Sequence, residues 1–472
     1  MQIALEGEVF EWVQEAAQKM SIDTYVVGGF VRDKLLGRES KDLDFVCVGK
    51  GIDLAKALKK MLGEEAHLSV FKNFGTAQIR YKNWDLEFIG ARKESYQRNS
   101  RKPFVEEGSL QDDQNRRDFT INAMAIKLDG ANEIIDPFGG VKDLKERRIQ
   151  TPLDPEKTFD DDPLRMMRAV RFASQLQFSI DPETLLSIKK MSARLHIISM
   201  ERIVDELNKI ILSKKPSDGF KLLFDTGLLH QFFPEIVALQ GVQTKNGKSH
   251  KDNFYHTLEV LDNVSKLSND LWLRWAAILH DIAKPPTKKF DNKEGWTFHG
   301  HEDLGARMVK KIFKRLRLPL NDSMRKVEKL VRLHLRPIAL VKDIVTDSAI
   351  RRLIFDAGQD LEDLMILCKS DITTKNMYKQ KKFQNNLALV EQKIIDVEER
   401  DQVRNFQPPI DGFEIMKIFK LKEGKEVGVL KSSLREAILE GTIRNDYQEA
   451  YNFVVAKGIV MGLTPKEKYD SI

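Results

Sequence analysis

The sequence predicts an α+β protein in which an α/β head is followed by a long helical body. From residue 1 to about residue 150, short β-rich runs such as TYVV, KDLDFVCVG, TAQIRY and WDLEFIG alternate with helical stretches. After Thr151 the strand signal disappears, and the 3.6-residue period of a helix dominates, as in MERIVDELNKIILS. We therefore expect one mixed sheet in the head and helices in the rest of the chain.

The composition is that of an ordinary globular protein. The 472 residues are 42% hydrophobic and 31% charged, which excludes a disordered chain and suffices for about three domains. No apolar run reaches the roughly 18 residues that a membrane span needs, and the only two cysteines, Cys47 and Cys368, lie in apolar runs. We expect a cytoplasmic protein with no membrane contact. A net charge of +6 is compatible with nucleic-acid binding but does not establish it.

The elements of the head are predicted in a definite order. TYVV is a strand, and GGFVRDKLLG is a turn at Gly28 and Gly29 followed by a short helix that Gly37 closes. KDLDFVCVG is the next strand, and a helix follows over 52–62. The runs TAQIRY, WDLEFIG, AMAIKL and NEIID add further strands.

Two carboxylates stand on the strand KDLDFVCVG. Asp42 and Asp44 are two residues apart, so both side chains lie on one face while Leu43 and Phe45 point to the other. Magnesium prefers carboxylate oxygens together with substrate phosphates, and two such ions can hold the attacking and leaving oxygens of an in-line displacement. Glycines just upstream let the backbone approach a triphosphate. This order of elements is typical of a nucleotidyl-transfer site.

Three further motifs make a family resemblance specific. They are QNRRDFTINAMAI (114–126), IIDPFGGVKDL (134–144) and DDPLRMMRAVRFA (161–173). In this order and spacing the chain resembles the class II tRNA nucleotidyltransferase and bacterial poly(A) polymerase family over roughly residues 20–240. The resemblance implies a polymerase-β-like nucleotidyltransferase head followed by an all-helical neck.

The resemblance also implies residue roles. Asp42 and Asp44 would be catalytic magnesium ligands, and a third acid from a later strand would be Glu87, with Asp85 as the alternative. The nucleotide-binding positions would be Gly28, Gly29, Arg32, Asp33, Arg117, Asp118 and Asn122. A hinge-like motif would comprise Asp136, Gly139 and Gly140. Residues 98–113 would be a flexible loop linked to the switch between incoming nucleotides.

Base selection can be argued from chemistry in the third of these motifs. Asp162 and Arg165 are three residues apart and are expected to be neighbours on one helix face. Cytosine and adenine both present an amine donor beside a ring-nitrogen acceptor, so a carboxylate and a guanidinium together accept C and A and reject U and G. Arg168 would help to position the nucleotide. Asp161 stands where the family usually has glutamate, which leaves its supporting role open.

A second metal constellation is predicted further on. Six of the nine histidines lie between residues 250 and 334, and imidazoles with carboxylates on helices suit divalent transition metals. The pattern resembles an HD-type phosphohydrolase domain. The positions that match are His256, His280, Asp281 and Asp371 for one metal, with His301 and His334 available for a second. His299 is one residue away from the usual place and is left out of the site.

These observations predict four regions and one main activity. The regions are a nucleotidyltransferase head (1–150), a neck (151–245), an HD domain (246–390) and a helical tRNA-binding tail (391–472). The predicted activity is template-independent addition or repair of the 3′-terminal CCA of tRNA from CTP and ATP, with release of pyrophosphate. A poly(A) polymerase or A-only enzyme of the same family remains open, as does an HD-domain phosphodiesterase or phosphatase as the main activity. The oligomeric state is left open.

Overall fold

The structure, a computed structural model, describes residues 2–72, 75–97, 100–340, 346–374, 376–401, 404 and 406–466. The chain divides into two compact units. The first ends at Val237 and includes Leu316–Leu318, and the second comprises Ala238–Arg315 and the chain from Pro319 onward.

The head is built on nine strands. They are β1 (Thr24–Val27), β2 (Asp42–Cys47), β3 (His67–Phe71), β4 (Thr76–Tyr81), β5 (Trp84–Gly90), β6 (Arg92–Gln97), β7 (Ser100–Glu107), β8 (Ala125–Lys127) and β9 (Ile134–Ile135). Seven of them form one sheet in the order β3-β4-β5-β2-β1-β8-β9, in which β2 and β5 are parallel and the other neighbours are antiparallel. Strands β6 and β7 form a separate antiparallel hairpin.

Five helices accompany these strands. They are α1 (Glu8–Met20), α2 (Gly29–Leu35), α3 (Gly51–Leu62), α4 (Leu110–Asn115) and α5 (Gly140–Glu146). Helix α3 packs on β4 and β5, and α1 packs on α3. Leu43, Phe45 and Phe88 are fully buried, and the two phenylalanine rings stack at 5.1 Å between centroids. Apolar side chains therefore fill one face of β2 and β5, which leaves the opposite face for the carboxylates.

Most of the predicted head elements are confirmed, among them β1, α2, β2, α3, β4 and β5. Strand β3 and the hairpin β6–β7 were not predicted. The burial of β3 alternates between exposed and half-buried residues, as expected for a sheet edge, so its sequence carries little apolar signal. The expected loop over 98–113 is wrong for the described part, because Ser100–Glu107 is a strand and Leu110–Asn115 a helix; Arg98 lies outside the described residues.

The rest of the first unit is helical, as predicted. Its helices are α6 (Pro155–Asp161), α7 (Leu164–Leu176), α8 (Pro182–Met191), α9 (Met200–Ile211), α10 (Pro216–Asp225), α11 (Leu228–Phe232) and α12 (Pro234–Val237). Two-residue strands β10 (Arg148–Ile149) and β11 (Ser179–Ile180) pair in parallel. Helix α7 is buried along most of its length and packs against α9 and α10.

The second unit is helical except for two small hairpins. The hairpins are β12 (Thr244–Lys245) with β13 (Lys248–Ser249) and β14 (Lys289–Asp291) with β15 (Gly295–Thr297). The helices are α13 (Asn253–Leu267), α14 (Leu271–Leu279), α15 (Lys284–Thr287), α16 (His301–Arg315), α17 (Asp322–Leu333), α18 (Arg336–Leu340), α19 (Asp347–Ala357), α20 (Leu361–Asp371), α21 (Met377–Asp401), α22 (Gly412–Phe419), α23 (Lys425–Glu440) and α24 (Tyr447–Val460).

The predicted boundary between residues 390 and 391 is not a break in the structure. It falls inside α21, which runs for 25 residues. Leu387, Val390, Ile394 and Val397 are all buried, and their spacing of three or four residues continues one apolar helix face across the predicted boundary. No helix of the described chain is long and apolar enough to cross a membrane. Both cysteines are buried and free.

Candidate functional site

A row of carboxylates lies on the open face of the head sheet. In the parallel pair β2–β5, Asp42 is opposite Asp85 and Asp44 is opposite Glu87, so the four side chains share one face. Burial raises the pKa of Asp44; Arg117 counteracts this effect, and Asp42 adds to it by repulsion. Such a row would bind cations, since a positive charge relieves the repulsion between the acids.

The two candidates for the third acid have different surroundings. Asp85 accepts a hydrogen bond of 2.6 Å from Nε2 of Gln78 and lies 3.6 Å from Nε of Arg80. No described side chain hydrogen-bonds to the carboxylate of Glu87. Burial raises the pKa of Glu87, and the charges of Asp44 and Asp85 raise it further. Of the two acids on β5, Asp85 has hydrogen-bonded and charged neighbours on β4, and the role of Glu87 as the third acid stays a prediction.

The Gly-Gly turn touches this row. Gly28 follows β1 with a φ of 74°, a conformation that favours glycine. A Cβ atom on Gly28 would lie 3.0 Å from Nη1 of Arg117 and 3.3 Å from Oδ2 of Asp44. Gly29 then begins α2. The turn therefore places backbone without a side chain beside Asp44 and Arg117, and its approach to a triphosphate stays a prediction.

Five of the predicted nucleotide-binding residues form one hydrogen-bonded network. Arg32 makes a bidentate pair with Asp33 at 2.9 and 2.7 Å and donates to Oδ1 of Asn122 at 2.8 Å. Asn122 donates to Oδ1 of Asp118 at 3.0 Å, and Arg168 donates to the other oxygen of Asp118 at 2.7 Å. Burial alone would raise the pKa of Asp118, but Arg168 and Asn122 lower it to about 2. The network links α2 of the head to α7.

Arg117 is held by a residue that the sequence did not single out. Asp113 is fully buried and accepts hydrogen bonds from Nε of Arg117 at 3.1 Å and Nε of Arg116 at 2.9 Å. Burial opposes ionisation of Asp113, yet the two arginines lower its pKa. Nothing in its sequence context distinguishes Asp113 from a solvated acid, because its role depends on burial.

The hinge-like motif contains a helix cap. Asp136 accepts hydrogen bonds from the backbone N–H groups of Gly140 at 2.7 Å and Val141 at 2.9 Å, at the start of α5. Gly139 has a φ of 74°, and a Cβ atom on Gly140 would lie 2.4 Å from the carbonyl oxygen of Thr120. The motif thus fixes α5 closely against the Asp118 segment, and its role as a hinge stays a prediction.

The expected placement of Asp162 and Arg165 on one helix face is wrong. Helix α7 begins only at Leu164, and Asp162 is extended, because a residue before proline disfavours the helical conformation. The Asp162 carboxylate accepts from the N–H of Leu164 at 3.0 Å and from Arg202 at 3.2 Å. Arg202, on α9, was not foreseen, since 40 residues separate it from Asp162.

Arg165 is held by the backbone. Its guanidinium donates to the carbonyl oxygens of Arg116 at 2.6 Å and Thr158 at 3.3 Å, and the residue is only 9% exposed. Asp162 and Arg165 are therefore positioned separately, by a neck helix and by backbone carbonyls, rather than by an ion pair with each other. Their role in base selection stays a prediction.

The second unit brings the predicted histidine and aspartate residues together. Two groups have ligand atoms that all lie within 4.8 Å of one another: His256, His280 and Asp371 in one, and Asp281, His301 and His334 in the other. Asp281 lies between them, with Oδ2 3.5 Å from Nε2 of His256 and Oδ1 3.3 Å from Nε2 of His301. The excluded His299 is exposed and pairs with Glu294 at 3.9 Å.

Backbone carbonyl groups orient three of these imidazoles. The Nδ1 atoms of His280, His301 and His334 lie 2.7, 2.8 and 2.7 Å from backbone carbonyl oxygens. Carbonyls accept hydrogen bonds, so the Nδ1 atom of each ring donates to its carbonyl and Nε2 is the atom left to face the carboxylates. All three Nε2 atoms are buried without a hydrogen-bond partner. Buried, unpartnered imidazole nitrogens that face two carboxylates fit a divalent transition metal.

The electrostatics of this centre agree with that fit. Burial and the charge of His280 lower the pKa of His334 to about 4, so this ligand is neutral at neutral pH. Burial opposes ionisation of Asp371, but its contacts with His256 and His280 lower its pKa to about 2. Lys284 donates to Oδ2 of Asp281 at 2.6 Å. The centre therefore combines ionised carboxylates with at least one neutral imidazole.

Comparison with known proteins gives the same picture. Residues 24–150 match the model of the poly A polymerase head domain, residues 177–239 that of the probable RNA and SrmB-binding site of polymerase A, and residues 253–373 that of the HD domain. An A-adding tRNA nucleotidyltransferase of Deinococcus radiodurans is 32% identical over 91% of this chain and 94% of the relative. A multifunctional CCA protein of Nitrosococcus oceani is 33% identical over 74% of this chain and 84% of its own length.

Solved structures share the fold. The Bacillus stearothermophilus CCA-adding enzyme in complex with CTP has a TM-score of 0.66 at 22% identity and covers 96% of this chain, with 98% of its own chain matched. The Thermotoga maritima CCA-adding enzyme complexed with tRNA has a TM-score of 0.59 at 22% identity, with 95% of each chain covered. Fold and site together define a nucleotidyltransferase with a polymerase-β-like head joined to an HD domain. The chain belongs to the class II tRNA nucleotidyltransferase and bacterial poly(A) polymerase family.

Proposed function

We propose that this protein adds the 3′-terminal CCA of tRNA from CTP and ATP. The observation that supports this most directly is the carboxylate row of Asp42, Asp44 and Glu87, which lies on one sheet face beside the Gly28 turn. Asp42, Asp44 and Glu87 would hold magnesium. Bound there, magnesium would stabilise the charge that develops on the phosphoryl oxygens.

The chain itself orients the two reactants. A tRNA 3′-hydroxyl attacks the α-phosphate of the nucleotide, and pyrophosphate leaves. Arg117 lies beside Asp44, and the network of Arg32 and Arg168 is held rigidly by Asp33, Asn122 and Asp118. Rigid guanidiniums of this kind are suited to bind a triphosphate and a ribose without reorganisation.

Base selection would be carried out by Asp162 and Arg165. The carboxylate would accept the exocyclic amine of C or A, and the guanidinium would donate to the ring nitrogen. Each group already has a partner in the protein, Arg202 for Asp162 and two carbonyls for Arg165. These partners restrict both side chains, which is what a protein template requires.

A second candidate is addition of A alone. The Deinococcus radiodurans relative, which aligns over 91% of this chain, is an A-adding enzyme, whereas the CCA protein of Nitrosococcus oceani aligns over 74%. Incubation with tRNA that lacks CCA, CA or only the terminal A, with each labelled nucleotide separately and then together, separates the two. Incorporation of C onto tRNA lacking CCA supports the first proposal. Addition of A only to tRNA that already ends in CC supports the second, and long runs of A indicate a poly(A) polymerase.

We also propose a metal-dependent phosphohydrolase activity for the HD centre. His256, His280, Asp281, His301, His334 and Asp371 would hold one or two transition-metal ions. A bound ion would supply a water activated for attack on a phosphate ester. Beside the ligands, Lys284 contacts Asp281, and Lys251 lies 3.3 Å from Nδ1 of His256. Positive charge at the edge of the centre favours an anionic substrate.

The finer domain limits and the cellular location are proposals of the same kind. A head to about residue 150 and a neck beyond it agree with the matched ranges 24–150 and 177–239. The two free, buried cysteines are compatible with a reducing cytoplasm. The tail, predicted over residues 391–472, would contact tRNA.

A further inference from the structure

We propose that the aromatic ring of Phe172 is a positioning element for the nucleotide-binding arginines. The proposal rests on the nucleotide site proposed above and assigns to it a residue that makes no direct contact with the nucleotide. Phe172 lies on α7 and is 5% exposed.

Three guanidinium groups surround this single ring. Their Cζ atoms lie 3.7 Å (Arg171), 5.0 Å (Arg32) and 5.4 Å (Arg168) from its centroid. Phe119 packs edge-on against the ring at 5.8 Å between centroids. All three distances are within the range in which the negative face of an aromatic ring attracts a cation.

Each arginine has a carboxylate of its own. Arg32 pairs with Asp33 and Arg168 with Asp118, as described above, and Arg171 pairs with the buried Glu206 of α9. The carboxylates thus neutralise three guanidiniums that come from two different helices. What the three guanidiniums have in common is the ring of Phe172.

The ring of Phe172 completes a closed series of contacts that runs through the proposed nucleotide site. Arg32 donates to Asn122, Asn122 donates to Asp118, and Asp118 accepts from Arg168. The ring joins the two ends of this series, since Arg32 and Arg168 both lie against it. Removing the ring removes the contact between the two ends of this series, where two positively charged guanidiniums approach each other.

The third arginine ties the ring to the neck. Arg171 makes the closest contact with the ring, and its partner Glu206 is 4% exposed. Burial lowers the pKa of Arg171, and the charge of Arg168 lowers it further, although Glu206 counteracts both. Helix α9 also carries Arg202, the partner of Asp162. Phe172 therefore lies where the head arginine Arg32 meets a helix that is itself held by α9.

The test compares Phe172→Leu with Phe220→Leu. Phe220, on α10 of the same unit, is fully buried, and no described arginine stacks on it. Both variants lose a ring from the interior, but only the first loses cation–π contacts. We expect Phe172→Leu to bind ATP and CTP with magnesium about tenfold more weakly and to raise KM more than it lowers kcat. Phe172→Tyr, which keeps the ring, should restore the affinity, and Phe220→Leu should keep it.

Two readouts keep the outcomes distinct. A crystal structure of Phe172→Leu should show Arg32 and Arg168 displaced, and this readout does not depend on any activity. Unchanged arginine positions together with parental nucleotide affinity would overturn the proposal. Equal loss of affinity in Phe172→Leu and Phe220→Leu would also overturn it, because the effect would then be general destabilisation.

If Phe172→Leu does not fold, Phe172→Met replaces it with the same expectations. A parent enzyme that adds no nucleotide to tRNA refutes the proposed function, while the arginine positions still decide the role of the ring.

Discussion

The carboxylate row of the head and the histidine–aspartate centre of the second unit differ in how their candidate metal ligands are arranged. In the second unit, six side chains from helices and from the turns that follow two of them bring their ligand atoms within 4.8 Å in two groups. Within the described residues no comparable group of three occurs in the head, where the acids are spread along an open sheet face. We infer that the second centre draws most of its ligands from the protein and leaves a position for the water that a bound ion would activate, whereas the first requires oxygens from its substrate.

The pKa shifts in the two centres have opposite directions. Burial and mutual repulsion raise the pKa of Asp44 and Glu87 in the head. Histidines and Lys284 lower the pKa of Asp281, and histidines lower that of Asp371, despite their burial. The second centre is thus compensated by the protein's own positive charges. In the head, the proposed magnesium ions would relieve the repulsion between Asp44 and its neighbouring acids.

The largest expected effect is in the head. Asp42→Asn or Asp44→Asn should lower nucleotide addition to tRNA at least about a thousandfold, since each removes a charged metal ligand. Binding of tRNA, measured by filter retention, should persist. Asp53→Asn, an exposed change on α3, is the control and should behave as the parent does. Residual activity within about tenfold of the parent would refute the two-metal assignment.

The same assay decides the third acid. Glu87→Gln should be nearly as damaging as Asp44→Asn, because Glu87 has no hydrogen-bond partner among the described side chains. Asp85→Asn should have a small effect, since Asp85 is held by Gln78 and lies near Arg80. If Asp85→Asn is the more damaging change, the assignment of Glu87 is wrong.

The independence of the two centres is tested by the double variant His280→Ala with Asp281→Ala. It should lose any bound transition metal, measured by elemental analysis, and any hydrolysis of phosphate esters with nickel, cobalt or manganese. Nucleotide addition with magnesium should stay at the parental level. His299→Ala, outside the cluster, should retain the metal. Loss of nucleotide addition in the double variant, with an intact circular dichroism spectrum, would contradict the separation of the centres.

Base selection should change by a smaller factor. Asp162→Ala and Arg165→Ala should erode discrimination against UTP and GTP by about 1–3 kcal/mol per contact. Arg202→Ala should show part of this loss, because Arg202 holds the Asp162 carboxylate. Asp205→Ala, an exposed change on the same helix, is the control. Sequencing of the added nucleotides measures the effect. Unchanged fidelity in variants that still add nucleotides would show that these residues have only a structural role.

The last prediction concerns the pH dependence of folding stability that arises from Asp118. A pKa lowered from 3.8 to about 2 makes the ionised carboxylate worth about 2 kcal/mol of folding free energy. This contribution is present above about pH 4 and is lost as the pH falls through about 2, because protonation then breaks the pair with Arg168. Urea unfolding of the parent and Asp118→Asn should therefore differ at pH 6 and converge only below pH 4. A difference that disappears between pH 6 and pH 5 would contradict the lowered pKa.

The sequence alone determined the elements that carry a local signal. The alternation of KDLDFVCVG predicts that Asp42 and Asp44 share a face, and the strand has that register. The clustering of histidines predicts the second centre, whose six positions the fold brings together. In both cases the prediction rests on neighbouring residues or on short motifs that can each be recognised locally.

Only the tertiary structure decided which partners these residues meet. Asp162 contacts Arg202, and Arg32 contacts Asn122, although the residues of each pair are far apart in the chain. No periodicity of the sequence predicts such pairs. The proline after Asp162 does signal an interruption, yet the sequence pattern placed Asp162 and Arg165 on one helix face. Glu87 and Asp85 share a strand face and a charge, so their difference arises only from Gln78 and Arg80 across the sheet. Long-range contacts select among residues that are locally equivalent, because burial and hydrogen bonding are properties of the folded chain.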